Sequence, residues 1–179
     1  MNQEKVQKSV YDLLLALGED PEREGLKETP RRVAKMFNEL LSYPNFNYTT
    51  FESEYDDIVM VKNIEFCSMC EHHLLPFYGV VHVAYIPNKR IVGLSKIVRV
   101  VEKYAKRLQV QERLTENIMD DLKKNLNTED IAVYVEAKHM CMIARGVRKE
   151  LSSTTTTKLS GVFKDKRKED FYFLLRGEK

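Results

Sequence analysis

The stretch that most constrains this chain is Cys70-Glu71-His72-His73, because the groups it offers need a partner from far along the sequence. A thiol and an imidazole three positions apart suit zinc, which favours Cys sulfur and His nitrogen. A catalytic zinc takes three protein ligands and leaves the fourth place for water. Cys70 and His73 supply two. His139-Met140-Cys141 holds the sole histidine after residue 82 and the sole cysteine after residue 70, so the inventory closes on Cys70, His73 and Cys141. A fold for this chain must then carry residue 141 to residues 70 and 73. Cys67 leaves a second arrangement open, since Cys67 and Cys70 form a C-x-x-C pair, a common structural zinc spacing, and a closed four-ligand cluster has no seat for water. A free cysteine can also be a small buried apolar residue and nothing more.

The remaining composition suits a single globular chain. It has 179 residues, 43% hydrophobic and 31% charged, enough to bury a core without disulfide staples. With 29 basic and 27 acidic residues the net charge is +2, too balanced for a dedicated nucleic-acid binder. Three clustered cysteines argue for a reducing compartment. The N-terminus lacks a long apolar run after a basic cap, so neither a signal peptide nor a membrane span is expected. The expected location is the cytoplasm.

Along the chain, Val6, Val10, Leu13, Leu14 and Leu17 recur at helical spacing over residues 3 to 17, and Gly18 stops the pattern. Thr29 reads as an N-cap followed by Pro30 at the first helical position, with Val33, Met36, Phe37, Leu40 and Leu41 on one face of a helix from 30 to 41. Residues 42 to 56 read as a connector. Ile58 to Phe66 alternates as a strand, with Ile58, Met60, Lys62 and Ile64 opposite Val59, Val61 and Asn63, and the metal stretch is expected on the loop that leaves it. Phe77 to Ile86 alternates again, and His82 reads as a sheet residue. Gly93-Leu94-Ser95 opens a helix with Ser95 as N-cap and Ile97, Val98, Val101, Tyr104 and Leu108 as its buried stripe. Lys96, Arg99, Lys103, Lys106 and Arg107 make this helix basic, and its N-terminus with Ser95, Lys96 and Arg99 could seat a polyphosphate.

Gln111 to Leu126 is a further helix, with Leu114, Ile118, Met119, Leu122 and Leu126 inward. Asp130 to Cys141 is a strand in which Ile131, Val133, Val135, Ala137, His139 and Cys141 share one face, so His139 should lie beside a metal held by Cys141. The run Ser152 to Thr157 is polar and β-favouring, and Lys168 to Leu175 could form a last helix. Helices first, then strands alternating with two helices, predict an α+β fold. The expected division is an N-terminal helical region over residues 1–50 and a catalytic region over 51–179.

These residues carry a resemblance that spacing alone does not. The chain resembles the GTP cyclohydrolase I family over nearly its whole length. The blocks that match in order are Glu28 to Met36, Cys70 to His73, Gly93-Leu94-Ser95-Lys96, Gln109 to Leu114, His139-Met140-Cys141 with Ala144-Arg145-Gly146, and the threonine run. The resemblance implies the tunnelling fold, an antiparallel sheet with helices on one face. In it, subunit sheets join into a barrel, and a toroidal homodecamer carries active sites at subunit interfaces. It also implies a hydrolase acting on the C–N bonds of a cyclic amidine: zinc-dependent opening of the guanine imidazole ring of GTP, giving formate and 7,8-dihydroneopterin triphosphate at the first step of tetrahydrofolate and pterin synthesis. No nucleic acid and no membrane is expected among its partners.

Residue by residue, the resemblance implies Cys70, His73 and Cys141 as zinc ligands, with a water acidified by the metal attacking C8 of the base. His72 corresponds to the family's acid for the purine ring nitrogen, His139 to the second proton-transfer histidine, and Ser95 to the residue near the ribose. Glu112, with Gln111 beside it, would recognise guanine by accepting from N1–H and the exocyclic amine. Lys96, Arg99, Arg145 and Arg32 of a neighbouring chain would hold the triphosphate. Leu108 stands where the family pattern has proline, and the short N-terminus lacks the extension of animal relatives, which argues against control by a separate feedback protein. A structural-zinc nucleotide-binding protein without turnover, and another pterin or deazapurine enzyme of the same fold, stay as alternatives.

Overall fold

A computed structural model describes residues 1–177. In chain order the elements are α1 (Gln3–Ala16), α2 (Thr29–Leu40), β1 (Thr50–Glu52), β2 (Val59–Cys70), β3 (Pro76–Tyr85), β4 (Arg90–Val92), α3 (Leu94–Ala105), β5 (Leu108–Gln109), α4 (Gln111–Leu126), β6 (Ile131–His139), α5 (Met140–Ile143), β7 (Thr154–Leu159), a 3-10 turn (Gly161–Lys164) and α6 (Lys168–Arg176). Among the described residues, no helix is long and apolar enough to cross a membrane. Two compact units part between Ser42 and Tyr43.

In the first unit, α1 starts where Asn2 Oδ1 accepts from the Lys5 amide at 3.0 Å, satisfying one of the unpaired donors of the first turn. The start of α2 differs from the expectation. Thr29 is already helical and Glu28 precedes it, with no side chain capping the amides, because the Glu28 carboxylate is taken by Arg31 Nε at 2.7 Å.

In the second unit the strands run in the order β5-β2-β3-β6-β7, an α+β arrangement whose sheet curls into an open half-barrel. The β2–β3, β3–β6 and β6–β7 pairs are antiparallel, while the two-residue β5 joins β2 in parallel. One face of the sheet contributes Phe66, Phe77, Val81, Val83, Val133 and Val135 to a core closed by α3 and α4. The other face is partly covered too: Ala84 and Ala132 pack with Phe163 of the 3-10 turn and Phe171 of α6. Each aliphatic side chain fully buried in this way contributes roughly 1.5–3 kcal/mol.

Three local corrections follow from the packing. The presumed connector holds β1, which pairs with β4. In β2 the alternation does not run evenly, because Val61 pairs with Val83 while Ile64 pairs with Val81, leaving one extra residue on β2. Asn63 takes up the bulge at φ 55°, a left-handed conformation that asparagine tolerates. Beyond it the faces exchange, so Ile64 joins Val59 and Val61 on the α3/α4 side instead of Met60. In α3 the cap is Gly93, Ser95 lies inside the first turn, and the buried stripe is Ile97, Val100, Val101 and Ala105; Val98 and Leu108 are exposed.

Gly79 explains how closely β3 and β6 approach at one point. A Cβ there would sit 1.9 Å from the Glu136 carbonyl oxygen and 2.7 Å from Ala137 Cα, both backbone atoms that cannot move aside. Only glycine fits that close approach.

Candidate active site

The ends of β2 and β6, the two strands that flank β3, build the site. β2 ends at Cys70 and a turn follows it, closed by the Leu74 amide donating to the Cys70 carbonyl at 2.9 Å. Two strands away, β6 ends at His139, and its last rung pairs His139 with Phe77. Cys141 is therefore not a strand residue, contrary to the expectation from alternation. It sits in the single turn of α5, and that turn brings it back over the end of the sheet.

There the ligand atoms of Cys70, His73 and Cys141 lie within 4.8 Å of one another. A tetrahedral zinc sets its sulfur and nitrogen ligands roughly 3.5–3.8 Å apart, and Cys70 Sγ lies 3.7 Å from His73 Nδ1. Burial pushes the Cys141 thiol up, and the adjacent Cys70 pushes it further. Two thiols side by side resist losing both protons, and a divalent cation is what removes that penalty. Cys67 does not belong to the group: three residues from Cys70 along an extended strand, it points to the opposite face and is exposed. The four-ligand alternative therefore lacks its fourth ligand.

The turn that carries the histidines is clamped from outside. Arg113, in the first turns of α4, donates from Nη1 and Nη2 to the two Glu71 oxygens at 2.8 and 2.7 Å, a bidentate pair. Arg113 is exposed and Glu71 only half-buried, so the pair orients the turn more than it stabilises the fold. Arg145 Nη1 donates to His73 Nε2 at 2.8 Å, bringing a guanidinium to the rim. His72 is exposed, with its Nε2 3.8 Å from Glu71.

His139 is half-buried and held on two sides. Its ring stacks on Phe77, with centroids 4.8 Å apart and planes 3° from parallel, and its Nε2 meets Gln111 Oε1 at 2.8 Å. Burial lowers its basicity, and the nearby Glu112 charge opposes that shift. A cavity of about 220 Å³ lies over the cluster, lined by Cys70, His72, His73, Glu112, His139 and Cys141 among others. Of the residues expected in the site, Ser95, Lys96, Arg99 and Arg145 do not line this cavity, although Arg145 reaches His73 beside it. Arg32 belongs to the first compact unit.

Residues 6–176 match the family model described as GTP cyclohydrolase I. The chain is 50% identical to GTP cyclohydrolase 1 of Sulfurihydrogenibium sp. (strain YO3AOP1), over 100% of this chain and 98% of the relative. It is 51% identical to GTP cyclohydrolase 1 of Aquifex aeolicus (strain VF5), over 99% and 98%. This chain belongs to the GTP cyclohydrolase I family. The protein from Streptococcus thermophilus (strain CNRZ 1066) is 52% identical over 94% of this chain and 93% of its own. The family resemblance read from the motif blocks is thus borne out. In this family the two-sulfur, one-nitrogen cluster is the zinc site. What the sequence did not reveal in this GTP cyclohydrolase I is the support around it: the Glu71–Arg113 pair and the Phe77 stack depend on contacts between residues far apart in the chain. Alternation in β3 puts Phe77 on the core face, but nothing in the sequence says that a histidine would lie against it.

Proposed function

We propose that this site opens the guanine imidazole ring of GTP, releasing formate and leaving 7,8-dihydroneopterin triphosphate, the step that opens folate-type pterin synthesis. The observation that carries the proposal is a three-donor metal cluster at the floor of a cavity whose walls hold two imidazoles and a carboxylate. Cys70, His73 and Cys141 hold the zinc. When bound, zinc supplies a water acidified toward neutral pH, fit to add to C8 of the base.

The chain's own residues do the rest. His72, exposed at the mouth, gives a proton to the purine ring nitrogen as the ring opens. His139 moves the second proton during ring opening and the later ribose rearrangement, tasks suited to a group that titrates near neutral pH. Ser95 acts near the ribose. Glu112 accepts from guanine N1–H and the exocyclic amine, with Gln111 beside it on the first turn of α4. A base lacking those donors leaves a carboxylate unpaired and is rejected. Lys96, Arg99, Arg145 and Arg32 hold the triphosphate.

Several of these residues reach the substrate from a neighbouring subunit in our reading. The cavity of about 220 Å³ is smaller than the roughly 300 Å³ at which small-molecule sites begin, and a nucleoside triphosphate needs more than one chain offers. The sheet is also open, with β5 and β7 at its edges, and unpaired strand edges invite pairing with another chain. Both features support sheets joined into a barrel within a toroidal homodecamer, with active sites at the subunit interfaces; the three free cysteines favour a reducing compartment, the cytoplasm. The decisive experiment incubates zinc-replete protein with GTP and measures formate together with the fluorescence of the oxidised neopterin product. Equal amounts of the two products are expected. GTP binding without formate would instead favour a nucleotide-binding protein with a structural metal.

A further inference from the structure

The Gln111 side chain is 2% exposed, and every polar atom it has is engaged inside the protein. Its Nε2 reaches three acceptors: the Val135 carbonyl at 3.2 Å, the Thr154 carbonyl at 2.9 Å and Thr156 Oγ1 at 3.2 Å. Counting protons fixes the direction of each bond. Thr115 Oγ1 donates to the Gln111 carbonyl at 2.9 Å, so its one hydrogen is committed there. Across the 2.6 Å contact between Thr115 Oγ1 and Thr156 Oγ1, Thr156 must then be the donor. That leaves Thr156 Oγ1 an acceptor like the Val135 and Thr154 carbonyls, so the two amide hydrogens of Gln111 are shared among three acceptors. Turning the amide over would aim Oε1 at two carbonyl oxygens that carry no hydrogen, so only one orientation is allowed.

In that orientation Oε1 points at His139 Nε2, 2.8 Å away, and an amide oxygen can only accept. The hydrogen of this bond belongs to His139. We propose that Gln111 is a positioning residue that holds the His139 imidazole in its Nε2–H form, with Nδ1 left bare, and so fixes the orientation of the ring in the site. Phe77, 0% exposed and stacked on the ring, keeps the imidazole from turning out of line. With its amide engaged on all sides, the Gln111 side chain orients the base catalyst and does not reach guanine. The chain of contacts also ties the catalyst to β7 through Thr156 and to α4 through Thr115.

This inference rests on the proton-transfer role of His139 given above, and the two fail in distinguishable ways. The test is nitrogen NMR of the zinc-loaded enzyme labelled with 15N-histidine, with the His139 signals identified by their loss in His139→Asn. At a pH where the ring is neutral, Nε2 is expected as the protonated nitrogen and Nδ1 as the bare one. A Gln111→Met variant, similar in length but without hydrogen bonds, should show a mixture of the two forms. It should lose about 100-fold in kcat with KM nearly unchanged and zinc content intact, since positioned acid–base groups are worth 10²–10⁴-fold. A native Nδ1–H ring overturns the proposal even if Gln111→Met does not fold, and so does a Gln111→Met enzyme that keeps the native tautomer. If His139→Asn keeps full activity, the role of His139 itself fails, whatever its tautomer.

Discussion

Asp121 sits where α3 and α4 meet and accepts more side-chain hydrogen bonds than any other carboxylate among the described residues. Oδ2 accepts from Lys103 Nζ at 2.6 Å and Tyr104 Oη at 2.7 Å, and Oδ1 accepts from Asn125 Nδ2 at 3.1 Å and from Tyr48. Burial would raise this carboxyl, but the hydrogen bonds from Lys103, Tyr48 and Tyr104 outweigh it and hold it below the usual range. Asp121→Asn keeps one acceptor and turns the other into an NH2 group facing two donors. Each hydrogen bond to a charged group is worth roughly 1.5–3 kcal/mol. The Lys103 side chain is 34% exposed and can turn to water, so its share is discounted. The expected loss is about 3 kcal/mol, at the lower end for breaking a buried pair. For a chain of this size that is a fall in Tm of roughly 6–12 °C. Calorimetry of wild type and Asp121→Asn at pH 7 measures it, with the exposed neighbour Asp120→Asn expected to stay within about 0.5 kcal/mol. Because the Asp121 pKa is depressed on folding, its contribution is present above the unfolded value of about 3.9. It is lost as pH falls through the folded value, so the gap between the two proteins should close in acid. A Tm difference under about 2 °C at pH 7, or one that does not shrink in acid, refutes the reasoning.

Two further outcomes follow from the geometry. Cys141→Ser should lose zinc and activity together, while Cys67→Ser, altering a thiol on the other face of β2, should keep both; metal content by atomic absorption alongside formate release checks this. Gly79→Ala should cost at least about 3 kcal/mol in a denaturant titration, since the new methyl group meets the backbone of β6.

Helix α4 and the inner strands were legible in the sequence because each buries one face and so carries a period, whereas α1 carries the period with no buried residue, Leu13 and Leu17 lying exposed. All five inward residues expected for α4, Leu114, Ile118, Met119, Leu122 and Leu126, are buried. The metal cluster was legible because cysteine and histidine are few and zinc chemistry is selective. The errors share a physical cause. A bulge at Asn63 shifts the alternation of β2 by one residue, and a one-residue step exchanges every side chain between faces. Cys141 was expected on a strand that ends two residues earlier, although it still reaches the site. The Gln111 network stayed hidden because it joins α4, β6 and β7, and no local pattern marks which buried amide faces which ring.

The position of Cys141 just past the last rung of β6 has a consequence for maturation. The β3–β6 ladder can be complete before any ion arrives, since all its rungs precede that residue. Metal capture then needs only one short turn to fold inward. Chelation should accordingly strip the catalyst while sparing the scaffold, and restoring the ion should revive the enzyme without refolding it.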